Sequence, residues 1–221
     1  MGKWIAWTCV ISLLATGLAA VVLAKRLHSS DTEKQPRLPQ LTMDQLNDRQ
    51  KSFADEILKV SANGITGPYN SMLRSPEMGE RMFQLLDYLR FKTSIPIRLN
   101  EFAILIQARL WTSQVEWTTH SRLALKAGLS ESVIADLKQG MRPASMQPDE
   151  AAVYDFAMEL STNREVSDAT YKRLREIFSE QQTVDLITLS GTYDTLAMML
   201  KAEENDVAPG STPPLQPLPS H

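Results

Sequence analysis

SQVEWTTHSRLALKAGLS, residues 113–130, is the stretch on which the reading of this chain turns. At about 100° per residue, Ser113, Glu116, Trp117, His120, Leu123, Ala124 and Ala127 fall on one helical stripe. Gln114, Thr118, Ser121, Arg122 and Lys126 fall elsewhere, mostly toward solvent. Gly128 stops this helix and Ser130 caps the next. An acid and an imidazole therefore share the face that continues as Leu and Ala, the face that ought to be buried. Buried polar groups are costly unless hydrogen-bonded, so Glu116 and His120 each need a specific partner. Ser113-x-x-Glu116 also has the spacing of a capping box, and a carboxylate in a first turn suits the helix dipole. Glu116 thus reads equally as a cap or as chemistry, Ser113 most simply as the cap, and Trp117 most simply as packing.

Working outward, nearly everything between residues 41 and 204 has helical period. Thr42 can cap a helix that ends before Gly64. Ser75-Pro76 is an N-cap followed by proline at the first helical position, with Met78, Met82, Leu85, Leu86 and Leu89 on one stripe. Pro96 opens another helix, apolar on every face from Phe102 to Ile106, as in a bundle centre or a subunit interface. Val153, Phe156, Ala157 and Leu160 mark one more, and Ser167 starts a helix with Tyr171, Leu174, Ile177 and Phe178. The last, Thr183 to Lys201, is greasy around most of its circumference. No alternating strand or Asn-Gly hairpin signal interrupts the series, so the class is all-α.

The chain has 221 residues, 43% hydrophobic and 22% charged, enough for one core plus ends. A net charge of −3 leaves no basic footprint for nucleic acid. Residues 4–24 carry no charge and are mostly apolar, so residues 1–26 read as a signal peptide or a membrane anchor. Residues 27–40 form a polar linker, 41–204 the folded domain and 205–221 a Pro-rich tail. Either form of the leader puts the domain outside the cytoplasm, periplasmic or secreted if cleaved and tethered if retained. Cys9, the single cysteine, lies in this leader, which removes disulfides and thiolate nucleophiles from the domain. Glu116 and His120 are i, i+4 neighbours, but two ligands make no metal site and no second histidine lies in the domain. Neither a metal nor a nucleotide or flavin cofactor is expected.

Glu101 changes the weight of the opening stretch. It lies in RLNEFAILI, an acid on a helix with no polar face to spare. Two acids and one imidazole on consecutive helices can meet in one apolar-walled pocket, which is what acid–base chemistry needs. Glu101, then Ser113 twelve residues on, then Glu116 and His120 resemble the signature of the carboxymuconolactone decarboxylase and alkylhydroperoxidase D-like superfamily. In its peroxidase branch the pattern is a Glu, a C-x-x-C pair and a following His. Here Glu101 and His120 match the Glu and His, while Ser113 and Glu116 stand where the cysteines would be. EWTTHSRLALKAGLS is similar to the E-W-x-x-H…A-x-x-A-G-L-S string of the non-thiol branch, and the match spans residues 67–201.

The resemblance implies an all-α, AhpD-like fold of about seven or eight helices. It also implies a homo-oligomer, a trimer or hexamer, with the pocket near a subunit interface. Thiol peroxidase chemistry is not expected without either thiol, because a serine hydroxyl has no such redox cycle. A lyase like the decarboxylase branch, acting on a small carboxylic acid or lactone, is the first functional reading. In it His120 donates the proton, Glu101 or Glu116 orients it, and Ser113 and Trp117 help hold the substrate. Arg74, Arg90, Arg98 and Arg109 are candidate anchors for a substrate carboxylate, Arg98 and Arg109 foremost. The second reading is a non-catalytic exported or membrane-tethered oligomer that binds a small ligand or a partner protein.

Overall fold

A helix that is apolar on all faces must be wrapped by others, and Ile97–Leu110 is that helix. In the computed structural model, which describes residues 36–61, 63–206 and 212–218, its residues 99–109 are all buried. Phe102 to Ile106 are at most 1% exposed within a single chain. The bundle-centre alternative for this run is therefore the one the fold adopts.

Around it the described residues form nine α-helices and no strand. They are α1 (Asp48–Leu58), α2 (Pro68–Arg74), α3 (Pro76–Phe91), α4 (Ile97–Leu110), α5 (Gln114–Lys126), α6 (Glu131–Lys138), α7 (Pro148–Met158), α8 (Asp168–Ile177) and α9 (Glu180–Glu203). The central α4 packs against α5, α7 and α9. The seven or eight helices expected become nine because α2 is only seven residues long, too short for a periodic signal. Pro68 starts it directly after Gly67, whose φ of +60° turns the chain.

Local chemistry explains where the boundaries fall. Thr42 opens only a 3-10 turn, Met43–Gln45, because a reciprocal capping box five residues on starts α1 instead. There the Asn47 side chain accepts the Gln50 N–H and Gln50 accepts the Asn47 N–H (3.0 and 2.9 Å). Ser75, at φ −130° and ψ 74°, makes no side-chain cap, and Pro76 carries the start of α3. Ser130 and Ser167 cap α6 and α8 as expected, each accepting the N–H three residues on. The last helix begins three residues before Thr183, at a Ser179/Gln182 capping box. It leaves Val184, Ile187 and Met198 exposed, so part of its apolar surface stays uncovered in one chain.

The apolar leader, residues 4–24, lies outside the described residues, among which no helix is long and apolar enough to cross a membrane. Residues 212–218 run without helix over the start of α5. There Leu215 is buried and its backbone exchanges two hydrogen bonds with the Gln114 side chain (both 2.9 Å). Arg109 donates to the Gln216 carbonyl (2.9 Å).

Where α2 meets α3, Gly79 leaves no room for a side chain. A Cβ there would lie 2.5 Å from the Met72 carbonyl oxygen and 2.8 Å from the Phe53 ring. Gly79→Ala is expected to cost about 1–3 kcal/mol by forcing backbone apart, measured by urea unfolding with α-helix content as the readout.

Candidate active site

Glu101, in the second turn of α4, meets His120, near the middle of α5, at 2.6 Å between Oε2 and Nδ1. Both are buried. The far ring nitrogen, Nε2, faces the hydroxyl of Tyr193 from α9 at 3.3 Å, and the two rings stand perpendicular with centroids 5.1 Å apart. Burial raises the Tyr193 hydroxyl well above the usual phenol range, so it keeps its proton and donates. That makes Nε2 the acceptor and assigns the ring proton to Nδ1, which donates to Glu101. Arg90, near the end of α3, lies 3.9 Å from the other Glu101 oxygen. Burial holds the His120 pKa below its ordinary value, outweighing the opposite pull of Glu101. The imidazole is therefore neutral at neutral pH.

Glu116 is in a different state. It is 3% exposed, and among the described residues nothing hydrogen-bonds either carboxyl oxygen. Burial pushes its pKa up to about 8, with the neighbouring Ser113 hydroxyl opposing and the charges of Asp206 and Asp194 adding. The capping box read from Ser113-x-x-Glu116 is not made. Its donors go to Asp206, just beyond α9: Ser113 Oγ at 3.2 Å and the N–H groups of Gln114 and Val115 at 2.9 and 3.3 Å. Lys201 neutralises that carboxylate at 2.5 Å and also donates to the Thr112 carbonyl (2.7 Å). With the helix end already satisfied, Glu116 stays uncharged.

The fold thus pairs Glu101 with His120, and sets Ser113 and Glu116 together with Asp206 at the start of α5. Trp117 is buried in the core beside them. The arginines fall elsewhere. Arg98 is bound by Asp149 and Glu150 at the start of α7, and Arg109 donates to Thr112 and to the Gln216 carbonyl, away from the acids. Arg74 is taken by the Pro39 carbonyl, and only Arg90 of the four lies near the acids. Tyr193, Lys201 and Asp206 escape a reading of the sequence. A tyrosine in a greasy helix does signal a hydroxyl seeking a buried partner, but nothing local links Asp206 to a helix ninety-two residues earlier. Among the described residues no group of three or more His, Cys, Asp or Glu side chains is placed to hold a metal ion.

The sequence matches no family model and no curated protein. Solved structures do share its fold. The AhpD core of an uncharacterized peroxidase-related protein from Ralstonia eutropha JMP134 superposes with a TM-score of 0.66. It is 16% identical, over 78% of this chain and 92% of that one. A peroxidase-related protein from Silicibacter sp. TM1040 gives 0.65 at 13% identity, over 80% and 94%. A protein of unknown function from Agrobacterium tumefaciens gives 0.55 at 18%, over 61% and 93%. The chain therefore has an AhpD-like fold. At these identities the likeness carries the fold and leaves the chemistry to the site.

The raised Glu116 pKa has a consequence for stability. Unfolded, this carboxyl titrates near 4.5; folded, near 8. Between those values unfolding releases a proton, so stability falls as pH rises through the window and levels off above it. Glu116→Gln removes this loss. From pH 4.5 to pH 8 the variant is expected to gain on the wild type by on the order of 3 kcal/mol, read from urea unfolding at a series of pH values.

Proposed function

We propose that this protein is a lyase-like enzyme that works by acid–base chemistry without a thiol, decarboxylating a small carboxylic acid or lactone. One observation carries the reading: two buried groups on one helix face are held in opposite roles at neutral pH. Glu116 keeps its proton and is the acid, while His120 is neutral and free to accept one. The roles differ from those expected of the sequence, where His120 was the donor, because burial moves both groups toward their uncharged forms.

In the reaction the bond from the substrate's carbon to its carboxylate breaks, and CO2 leaves. The electron pair stays on carbon and spreads into an adjacent carbonyl. The Glu116 proton then completes the new C–H bond, and water restores it. The low-polarity walls favour this step, since a carboxylate loses its charge on leaving. His120, fixed by Glu101 on one side and Tyr193 on the other, is the neutral base that accepts this solvent proton and passes it on to the Glu116 carboxylate. No cysteine stands at the thiol positions, which supports chemistry other than peroxide reduction.

The chain is further taken to act as a homo-oligomer, a trimer or hexamer, exported or tethered through residues 4–24. The exposed Val184, Ile187 and Met198 on α9, with Phe91 and Ile97 elsewhere, support the first part. The apolar leader supports the second. The alternative, a ligand-binding oligomer without turnover, is favoured by the near-complete burial of all four site residues, none more than 6% exposed.

The test is a screen of the purified protein against small carboxylic acids and lactones, with CO2 release as the signal and His120→Gln as control. Turnover is expected to fall by about 10²-fold or more in His120→Gln, with helix content and assembly retained. Unchanged turnover would remove His120 from the chemistry. Binding without any CO2 release would favour the alternative.

A further inference from the structure

The start of α5 holds more donors than a helix cap needs, and they converge on a single carboxylate. One oxygen of Asp206 receives the Ser113 hydroxyl and the N–H groups of Gln114 and Val115; the other receives the Lys201 ammonium. Asp206 itself is 6% exposed, so the cluster is screened from water. A helix N-terminus with its partial positive charge, a hydroxyl and an ammonium together form an anion site of the kind that takes oxyanions from solution. Beside it, in the same first turn of α5, lies the unpartnered and buried carboxyl of Glu116. That carboxyl is close enough to feel both the Ser113 hydroxyl and the Asp206 charge. Protonated, that carboxyl has a hydrogen to donate and no partner among the described residues that takes it.

We propose that the N-terminus of α5, with Ser113 and Lys201, is a binding site for a small free carboxylate, and that Asp206 fills it as a built-in competitor. When such a ligand enters, Asp206 gives up its four donors, and the ligand's carboxylate takes them with its carbon skeleton beside Glu116. Asp206 stands two residues beyond the end of α9, which Glu204 closes in the left-handed region at φ +56°. The proposal rests on the decarboxylase reading only in taking this ligand to be the substrate. The site would serve a product or an inhibitor of the same chemistry equally well.

Formate, the smallest carboxylate, is the probe, used with the full chain. In Asp206→Asn the amide keeps an oxygen for the backbone donors but loses the charge that Lys201 holds, so the competitor is weakened and the fold retained. Formate is expected to bind this variant at least about tenfold more tightly than the wild type, followed by Trp111 and Trp117 fluorescence at constant ionic strength. Adding Lys201→Met should abolish the gain. In Asp206→Ala, about 100 mM formate should raise Tm by several degrees while equimolar chloride does not. Equal affinities in wild type and Asp206→Asn, or the same response to chloride as to formate, would overturn the proposal and leave Asp206 a helix cap alone. Because no step of the test needs turnover, a formate response that survives His120→Gln stands even if the decarboxylase reading fails.

Discussion

A carboxyl group set among apolar side chains has to find a partner inside the protein, and Glu101 finds His120 at 2.6 Å. Much of the bundle is arranged around that requirement. α4 is buried along nearly its whole length, so its one acid cannot turn to solvent, and α5 must present an imidazole at the matching height. The imidazole then has a second nitrogen to satisfy, and α9 supplies the Tyr193 hydroxyl. Three helices are thereby held in register by two polar contacts within an otherwise hydrophobic interior. Apolar packing alone specifies such registers less sharply, because a shifted helix still buries its Leu and Ile side chains.

The second constraint is a competition between two acids for one helix end. Ser113 and the first N–H groups of α5 could serve either Glu116, three residues away, or Asp206, arriving from the far end of the chain. Asp206 prevails because Lys201 comes with it, cancelling its charge at 2.5 Å, whereas Glu116 would bring an uncompensated charge into the core. Glu116 is an acid at neutral pH because it is buried, with the negative charge of Asp206 adding to the effect.

How much of this could be seen in the sequence follows from the range of the interactions. The all-helical class, the stripe that carries Glu116 and His120 inward, and the caps at Ser130 and Ser167 all rest on residues within one or two turns of each other. The Glu101–His120 spacing crosses from one helix to the next, and the structure pairs those two side chains. Local pattern misled at Thr42, where the stronger Asn47/Gln50 box took over the start of the helix, and at Ser113, where a partner from elsewhere outbid the local one. The arginines were beyond reach for the same reason. Arg98 carries no local sign that Asp149 and Glu150, some fifty residues on, will bind it, nor Arg109 that Gln216 will.

The contact between Asp206 and α5 spans ninety-two residues, and that between Tyr193 and His120 seventy-three. Synthesis proceeds from the N-terminus, so α4 and α5 leave the ribosome before α7 and α9, the other helices packed on α4, and before both of these partners. Glu101 and His120 can pair at once, but α5 has no cap and the imidazole no phenol until the last part of the chain follows. A chain that ends before residue 206 therefore lacks the carboxylate and the cap that set the surroundings of Glu116. The surroundings of Glu116 are thus complete only once translation has run past residue 206.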